Sequence, residues 1–241
     1  AQSLLGGERK AILLGNAAAH HPKASSLLAL ANWIAQHSQA TVGFLGEAAN
    51  TVGAQLVNAR PQQAGLNAAQ MLQGQLQALL LFNTEPAFDS SLSDVTHLAK
   101  VPMVVTLSPF KANMDISDVL LPIAPFTETA GTFFNTEGVA QSFHAVVKPL
   151  GEARPGWKVL RVLGHMLGLP GFEIETLEQV RQQAWGPDIS ARLSNQTQAA
   201  IDISPTAQVP VTASIYQLDG LVRRSGPLQR TADARAEVSH G

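Results

Sequence analysis

Short apolar runs that alternate with helical patterns constrain the fold of this chain most strongly. The apolar runs predict strands at residues 10–15, 41–45, 76–82, 101–107 and 118–122. Patterns typical of helices fall between or after them, at residues 22–35, 51–59, 67–73, 88–99, 157–167 and 177–185. Because strand–helix–strand units join parallel strands, the sequence predicts an α/β fold with a mostly parallel sheet and helices on both faces.

Small and polar residues follow the predicted strands. The carboxyl ends of parallel strands share one edge of a sheet, and ligands bind beyond that edge. Backbone N–H groups on such a rim can hold a nucleotide diphosphate. Neither the dinucleotide-binding glycine motif nor the phosphate-loop motif occurs here, so we interpret the glycines as turn residues. The candidate rim residues at these strand ends are Gly15, Asn16, Asn50, Asn83 and Ser108.

A glycine-framed turn at residues 131–138 follows the last predicted strand. Glu128 and Glu137 flank it, either as an acid/base pair or as carboxylates that accept backbone N–H bonds. No histidine, lysine or nucleophile is adjacent in sequence, so we favour the second interpretation and predict no catalytic residue. Asn135 and Thr132 are predicted to stabilise the loop, because short polar side chains bond local backbone. Glu128 and Asn135 complete the set of rim candidates.

Four blocks of sequence follow one another along the chain. They are Gly46-Glu47-Ala48-Ala49-Asn50 with Gly53-Ala54; Leu81-Phe82-Asn83-Thr84-Glu85-Pro86; Ser117-Asp118-Val119-Leu120-Leu121-Pro122 with Glu128, Gly131-Thr132-Phe133-Phe134-Asn135, Glu137-Gly138 and Gln141; and Pro149-Leu150-Gly151-Glu152-Ala153-Arg154-Pro155-Gly156-Trp157. In this order the blocks resemble the molybdopterin oxidoreductase superfamily. Within it they are most similar to the large iron–sulfur G subunits of bacterial NADH-quinone oxidoreductase, respiratory complex I.

The resemblance implies a Rossmann-like domain similar to that of formate dehydrogenases. It also implies a full-length subunit that carries electrons from NADH toward quinone through 4Fe-4S and 2Fe-2S clusters. Val139 stands where the family pattern has a basic residue. We therefore expect this segment to be a scaffold without a cofactor, and we do not expect molybdopterin.

The same resemblance implies that the partners are other subunits of the peripheral arm, on the cytoplasmic side of the bacterial inner membrane. Two alternatives stay open. One is part of a molybdopterin-dependent enzyme such as a formate dehydrogenase or nitrate reductase. The other is a stand-alone nucleotide-binding or adaptor domain.

Composition narrows the chemistry that these residues can supply. The chain has 241 residues and no cysteine, which excludes disulfides and cysteine-ligated clusters within it. The formal net charge of −2 argues against nucleic acid as a partner. No apolar run has transmembrane length, so we expect no membrane insertion. His20 and His21 lack a third ligand nearby, and we predict no metal site.

We predict an α/β domain at residues 1–170, followed by a helical extension and C-terminal arm at residues 171–241. A polar helix is predicted at residues 190–200 and an extended arm at residues 209–216. The basic tail with Arg223 and Arg224 is interpreted as a solvated linker. The chain is expected to be part of a longer protein. Its charged fraction of only 14% suggests apolar surface that partners or self-association would cover.

Overall fold

The structure is a computed structural model that describes residues 2–46, 48–73, 75–90, 92, 94–186, 188–206 and 214–238. Its strands are β1 (Ala11–Leu14), β2 (Thr41–Phe44), β3 (Leu79–Phe82), β4 (Val104–Ser108), β5 (Val119–Pro122), β6 (Gly131–Phe134) and β7 (Ala140–Phe143). Its α-helices are α1 (Gln2–Gly6), α2 (Asn16–Ala19), α3 (Ala24–Ser38), α4 (Thr51–Leu56), α5 (Ala68–Gln73), α6 (Pro86–Asp89), α7 (Gly156–Met166), α8 (Leu177–Trp185), α9 (Ile215–Leu218) and α10 (Ala232–Val238).

The predicted α/β class with parallel strands is confirmed. Strands β1 and β2 form one parallel sheet, and strands β3, β4 and β5 form another in that order. The described strands thus form two parallel sheets where one was expected. None of the helices in the described ranges is long and apolar enough to cross a bilayer.

The chain divides into two compact units, each made from more than one segment. The first unit comprises Ala1–Leu56, Phe134–Val139 and Asp188–Gly241. The second comprises Val57–Phe133 and Ala140–Pro187. The division predicted after residue 170 stays a prediction.

Helix α3 joins the two strands of the first unit and packs against both. Ala31, Ala35 and Ser38 are buried at the four- and three-residue spacing of one helix face. Small side chains on that face let the helix lie close to the sheet. Gln39 ends the helix in the left-handed conformation, with φ of 60°, and β2 begins two residues later.

Strand β4 is the centre of the second unit's sheet. Val104, Thr106 and Leu107 on this strand are completely buried, as expected for a strand covered on both faces. Asp118, just before β5, accepts a hydrogen bond from the Val104 N–H at 2.7 Å and so fixes where β4 starts. The buried core cluster consists of Leu79, Leu81, Leu98, Val104 and Ile116.

The glycine-framed turn belongs to a β-hairpin that the sequence analysis did not predict. Strands β6 and β7 form a two-stranded sheet joined by residues 135–139. Only antiparallel strands can be joined by so short a connection. Thr132 and Ser142 pair across the hairpin through their hydroxyl groups at 2.9 Å.

The helix predicted at residues 88–99 is wrong. Helix α6 ends at Asp89, and a 3₁₀ helix follows only at Thr96–Lys100. The Ser90 hydroxyl donates to the Pro86 carbonyl at 2.6 Å and accepts from the Leu92 N–H at 3.2 Å. These local bonds compete with helical ones and interrupt the helix.

The polar helix predicted at residues 190–200 is also wrong. A 3₁₀ helix covers Ser190–Arg192, and the chain then continues without regular structure. The Ser194 and Thr197 hydroxyls accept hydrogen bonds from the N–H groups two residues ahead, which again favours non-helical backbone.

The extended arm predicted at residues 209–216 lies partly outside the described residues. For residues 214–216, which the structure describes, the prediction is wrong. The Ser214 hydroxyl accepts from the Tyr216 N–H and caps helix α9, so Tyr216 is helical.

Candidate functional site

The carboxyl ends of β3 and β4 present two of the predicted rim residues. Asn83 adopts φ of 49°, and its N–H donates to the Leu107 carbonyl at 2.8 Å. Ser108 is buried, and its hydroxyl accepts from the Phe110 N–H at 3.0 Å. Both residues therefore use polar groups to turn the chain out of the sheet.

A part-buried polar network around Thr106 of β4 was missed by the sequence analysis. The Asn113 amide donates to the Thr84 carbonyl at 2.9 Å and to the Thr106 hydroxyl at 3.4 Å. The Thr106 hydroxyl also bonds to that of Ser117 at 2.7 Å. Thr106 stands within an apolar run, and a buried hydroxyl needs a partner. A threonine within this apolar run was therefore the only sign of the network in the sequence.

The loop after β3 is closed by Asp89. Its carboxylate accepts from the Glu85 N–H at 2.7 Å and from the Thr84 hydroxyl at 3.1 Å. A phosphate at this strand end would need backbone N–H donors. The N–H groups of Asn83 and Glu85 are already engaged within the protein.

Asn135 organises the turn between β6 and β7. Its side-chain oxygen accepts from the N–H groups of Glu137 at 3.0 Å and Val139 at 2.9 Å. The Gly138 N–H donates to the Asn135 carbonyl at 2.9 Å, with Gly138 at φ of 80°. The side chain of Glu137 is exposed, so the turn is held by the amide and not by that carboxylate.

Leu193 covers the glycine of this turn. A Cβ atom added to Gly138 would lie 2.4 Å from the Leu193 Cδ1 atom, so the two residues are in close contact. The neighbouring Arg192 donates to the Leu56 carbonyl at 2.9 Å and holds this segment in place. Glycine is therefore required at position 138 for two reasons: the backbone there is left-handed, and Leu193 packs directly against it.

Asn50 links the loop after β2 to Phe134 at the end of β6. Its side-chain oxygen accepts from the N–H of the buried Phe134 at 2.9 Å. The amide lies directly over Gly53, where an added Cβ atom would come within 2.1 Å of the Asn50 Oδ1 atom. Only glycine at position 53 leaves room for this contact.

Glu128 organises a different loop in the second unit. One oxygen of its carboxylate accepts from the Leu150 N–H at 3.1 Å. The adjacent Thr127 carbonyl accepts from the N–H groups of Val146 at 2.9 Å and Val147 at 3.4 Å. These bonds attach the loop after β7 to the 3₁₀ helix Phe126–Glu128.

Residues 193–204 form a segment without regular structure. The C-terminal end of this segment is attached to the N-terminal end of α3. Lys23 forms an ion pair with Asp202 at 2.7 Å and also bonds the Ser204 hydroxyl. The Ser26 hydroxyl accepts from the Asp202 N–H at 2.5 Å. Hydrogen bonds from Lys23 and Ser204 hold the pKa of the Asp202 carboxyl well below its usual range.

The structure distributes the predicted rim residues over both units. Gly15, Asn16, Asn50 and Asn135 lie in the first unit, and Asn83, Ser108 and Glu128 lie in the second. The Gly15 carbonyl accepts from the Ala18 and Ala19 N–H groups at 3.0 Å. The Asn16 carbonyl accepts from the His20 N–H at 2.8 Å. That these residues share one rim stays a prediction.

The two adjacent histidines lie where α2 ends and α3 begins. His21 Nδ1 accepts from the Lys23 N–H at 2.9 Å, a role in shaping the entry to the helix. Within the described part of the chain, no three His, Asp or Glu side chains are grouped as a metal ion would require.

Comparison with known proteins assigns this chain to a family. The profile of the molybdopterin oxidoreductase family matches residues 1–166. YjgC of Bacillus subtilis (strain 168), named as an oxidoreductase, is 31% identical over 115 residues, which is 45% of this chain and 12% of its own length. A formate dehydrogenase-like protein of Staphylococcus haemolyticus (strain JCSC1435) is 32% identical over 98 residues, 39% of this chain and 10% of its own length.

The mitochondrial NADH dehydrogenase [ubiquinone] iron–sulfur protein 1 of Solanum tuberosum is 28% identical over 120 residues. That match covers 45% of this chain and 16% of the potato protein. The chain thus spans between about a tenth and a sixth of the length of these relatives.

Proposed function

Because this chain belongs to the molybdopterin oxidoreductase family, we propose that it is a structural segment of an NADH-quinone oxidoreductase subunit of the iron–sulfur G type. In this role it supports electron transfer without carrying the redox centre. The similarity to the potato NADH dehydrogenase iron–sulfur protein supports the assignment. So do the motif blocks that resemble the G subunits.

The proposal rests on one observation, that backbone N–H groups in these loops donate hydrogen bonds within the protein. Backbone N–H groups in the loop after β3 and in the turn after β6, the type of donor that holds an anionic ligand, are bonded to side chains of the protein itself. Glu137 and Val139 donate to Asn135, and Glu85 donates to Asp89. A scaffold gains stability from such bonds, whereas a cofactor site keeps its donors for the ligand.

A molybdopterin cofactor does not fit the residues present. The cofactor carries phosphate groups, which call for cationic side chains and unengaged N–H donors. The family pattern's basic position is occupied by Val139, whose side chain is 51% exposed. Leu193 lies against Gly138, on the surface of the same turn. We therefore assign no step of chemistry to a pterin in this segment.

Electron transfer in the proposed subunit depends on groups outside these residues. Cysteine-ligated clusters need thiolates, and this chain has no cysteine. We propose that 4Fe-4S and 2Fe-2S clusters are held elsewhere in the assembly. We further propose that this segment contacts other subunits of a peripheral arm, on the cytoplasmic side of a bacterial inner membrane.

A second candidate function is a segment of a formate dehydrogenase. Relatives with formate dehydrogenase names from staphylococci reach 32% identity over 98 residues and 44% over 52 residues. These identities exceed the 28% of the NADH dehydrogenase relative. This candidate requires the molybdopterin site to be completed by residues outside this chain.

Purification of the affinity-tagged protein from its native host tests the two candidates. The tagged preparation is assayed for iron, molybdenum, extractable pterin, NADH-dependent quinone reduction and formate-dependent dye reduction. We expect iron and NADH-dependent activity, without molybdenum. Molybdenum with extractable pterin and formate-dependent activity would overturn the first candidate and support the second.

The purified chain without its host partners is the matched control. We expect it to contain neither iron nor molybdenum and to oxidise no NADH. NADH turnover by this preparation would contradict the structural role directly.

A further inference from the structure

Strand β2 has one edge with which no other described strand pairs. Its partner in the two-stranded parallel sheet is β1, which lies on the other side. The Thr41 N–H donates toward that side, to the Lys10 carbonyl at 2.9 Å. Because peptide groups alternate in direction along a strand, those of Val42 and Phe44 point to the opposite side. We call that side the outer edge of β2.

A side chain takes the place of a neighbouring strand at one point of the outer edge. The Asn195 side-chain amide donates to the Val42 carbonyl at 2.7 Å, the kind of bond that the N–H of an adjacent strand would make. Among the residues that the structure describes, no hydrogen bond uses the Val42 N–H, the Phe44 N–H or the Phe44 carbonyl. These are the groups to which an added strand bonds.

The sequence of β2 lacks the features that usually block such pairing. Native proteins protect exposed strand edges with charged side chains, proline or β-bulges. Residues 40–46 contain no charged residue and no proline, and β2 pairs with β1 in unbroken register. Two strands are also fewer than a sheet usually needs for stability, so a third strand is favourable.

A groove of about 770 Å³ lies between α3 and the 193–204 segment. Val42 lines it, together with Trp33 and Gln36 of α3 and Thr197 of the segment. The described residues of this lining are all uncharged, and Trp33 is 51% exposed. The groove therefore offers an aromatic surface and neutral polar groups to the side chains of an occupant, and it selects no charge.

The width available distinguishes between two occupants. A single extended segment needs only about 4.8 Å beside β2 in the hydrogen-bonding direction. A second copy that paired through the same edge would bring its own α3 and 193–204 segment against those of the first. The groove beside Val42 therefore favours one extended segment over a second copy.

We propose that the outer edge of β2 is a docking site for an extended, uncharged segment of a partner protein, which adds to the sheet as a third strand. The Asn195 amide holds the Val42 carbonyl until the main chain of this segment replaces it. The proposal is independent of which oxidoreductase the protein serves. Its test needs no redox activity, so its failure and the failure of the proposed function are separate results.

Two peptides with the same side chains test the proposal. The probe is a fluorescein-labelled heptapeptide of alternating threonine and valine, N-methylated at the valines so that only one of its edges can pair. The matched control is N-methylated at the threonines as well, which removes the remaining N–H donors. We expect fluorescence anisotropy to report binding of the probe and at least about tenfold weaker binding of the control.

Hydrogen exchange measured by NMR locates the bound probe. We expect the amides of Val42 and Phe44 to exchange at least about tenfold more slowly when the probe saturates the protein, because they gain hydrogen bonds. The Thr41 amide is the internal reference. It is already bonded to the Lys10 carbonyl, so its exchange should change less.

Variants at the edge separate the main chain from the side chains. V42P removes the outward N–H, a change that edge strands tolerate, and should weaken binding at least about tenfold. V42T keeps that N–H and a side chain of similar shape, so it should stay within about twofold of the unaltered protein. N195A removes the competing amide and should strengthen binding about two- to tenfold, as expected for one hydrogen bond.

Three results would overturn the proposal. One is equal binding of the two peptides to the unaltered protein. Another is unchanged exchange at Val42 and Phe44 with the probe bound. The last is concentration-dependent dimerisation in sedimentation that V42P abolishes, which would make a second copy the occupant. Circular dichroism checks the fold of each variant, and the peptide pair decides the question even if V42P does not fold.

Discussion

The side-chain oxygen of Asn50 accepts a hydrogen bond from the backbone N–H of Phe134 at 2.9 Å, although 84 positions separate the two residues. Phe134 is buried at the end of β6, so its N–H needs a partner. The loop after β2, which contains a predicted rim residue, thus holds the end of β6 through this bond. Asn50 is both a candidate rim residue and a structural acceptor.

Removal of that acceptor should destabilise the protein. We expect N50A to lower the free energy of unfolding by about 1–3 kcal/mol, the cost of leaving a buried donor unsatisfied. N50D keeps an oxygen at the same position and should be much less destabilising. Urea unfolding followed by circular dichroism measures both. Equal losses in the two variants would contradict the assigned hydrogen bond.

Gly53 and Asn50 should be energetically coupled. In G53A the added Cβ atom would lie 2.1 Å from the Asn50 Oδ1 atom, so the amide must leave its position. We expect G53A to lower stability by about as much as N50A, with little further loss in the double variant. A double-mutant cycle measures this coupling. Strictly additive losses would mean that the two residues act independently.

The two glutamates of the turn region should differ in their contribution to stability. The Glu128 carboxylate accepts from the Leu150 N–H, whereas the Glu137 side chain is exposed and the residue donates its backbone N–H to Asn135. We expect E128A to cost about 1 kcal/mol and E137A to fall within about 0.5 kcal/mol of the unaltered protein. Melting temperatures of the two variants provide the comparison. The sequence alone treated the two carboxylates as equivalent.

Local interactions were the part of the site that the sequence could predict. Asn135 was expected to stabilise its loop, and its amide indeed accepts from donors two and four residues ahead. Such bonds depend only on residue type and short spacing. The contact between Asn50 and Phe134 depends on tertiary folding, and no local pattern indicates it.

The same distinction applies to the fold. Apolar runs separated by helical patterns predicted the parallel strands, because strand–helix–strand units join parallel strands. The helix predicted at residues 88–99 failed where Ser90 bonds the backbone at both sides. The contact between Gly138 and Leu193 is made by residues far apart in the sequence. Only the glycine itself could indicate it beforehand.

The ion pair of Asp202 with Lys23 should make one anchor of the 193–204 segment pH-dependent. A carboxyl with a lowered folded pKa contributes stability above its unfolded pKa, about 3.9, and loses it as the pH falls toward the folded pKa. We expect the stability difference between the unaltered protein and D202N to be constant above about pH 5 and to shrink below about pH 4. Denaturant unfolding at each pH measures it.

The two glycines at positions 138 and 151 separate backbone strain from side-chain contact. Both have left-handed backbones, with φ of 80° and 55°, but only Gly138 has a close neighbour, since no atom lies within 4 Å of a Cβ added to Gly151. We expect G151A to cost about 1 kcal/mol from its conformation alone. G138A should cost more, because its Cβ atom would lie 2.4 Å from the Leu193 Cδ1 atom. In an L193A background the cost of G138A should fall to that of G151A, as measured by denaturant unfolding. If the extra cost persisted in that background, Leu193 would not be the residue that covers the turn.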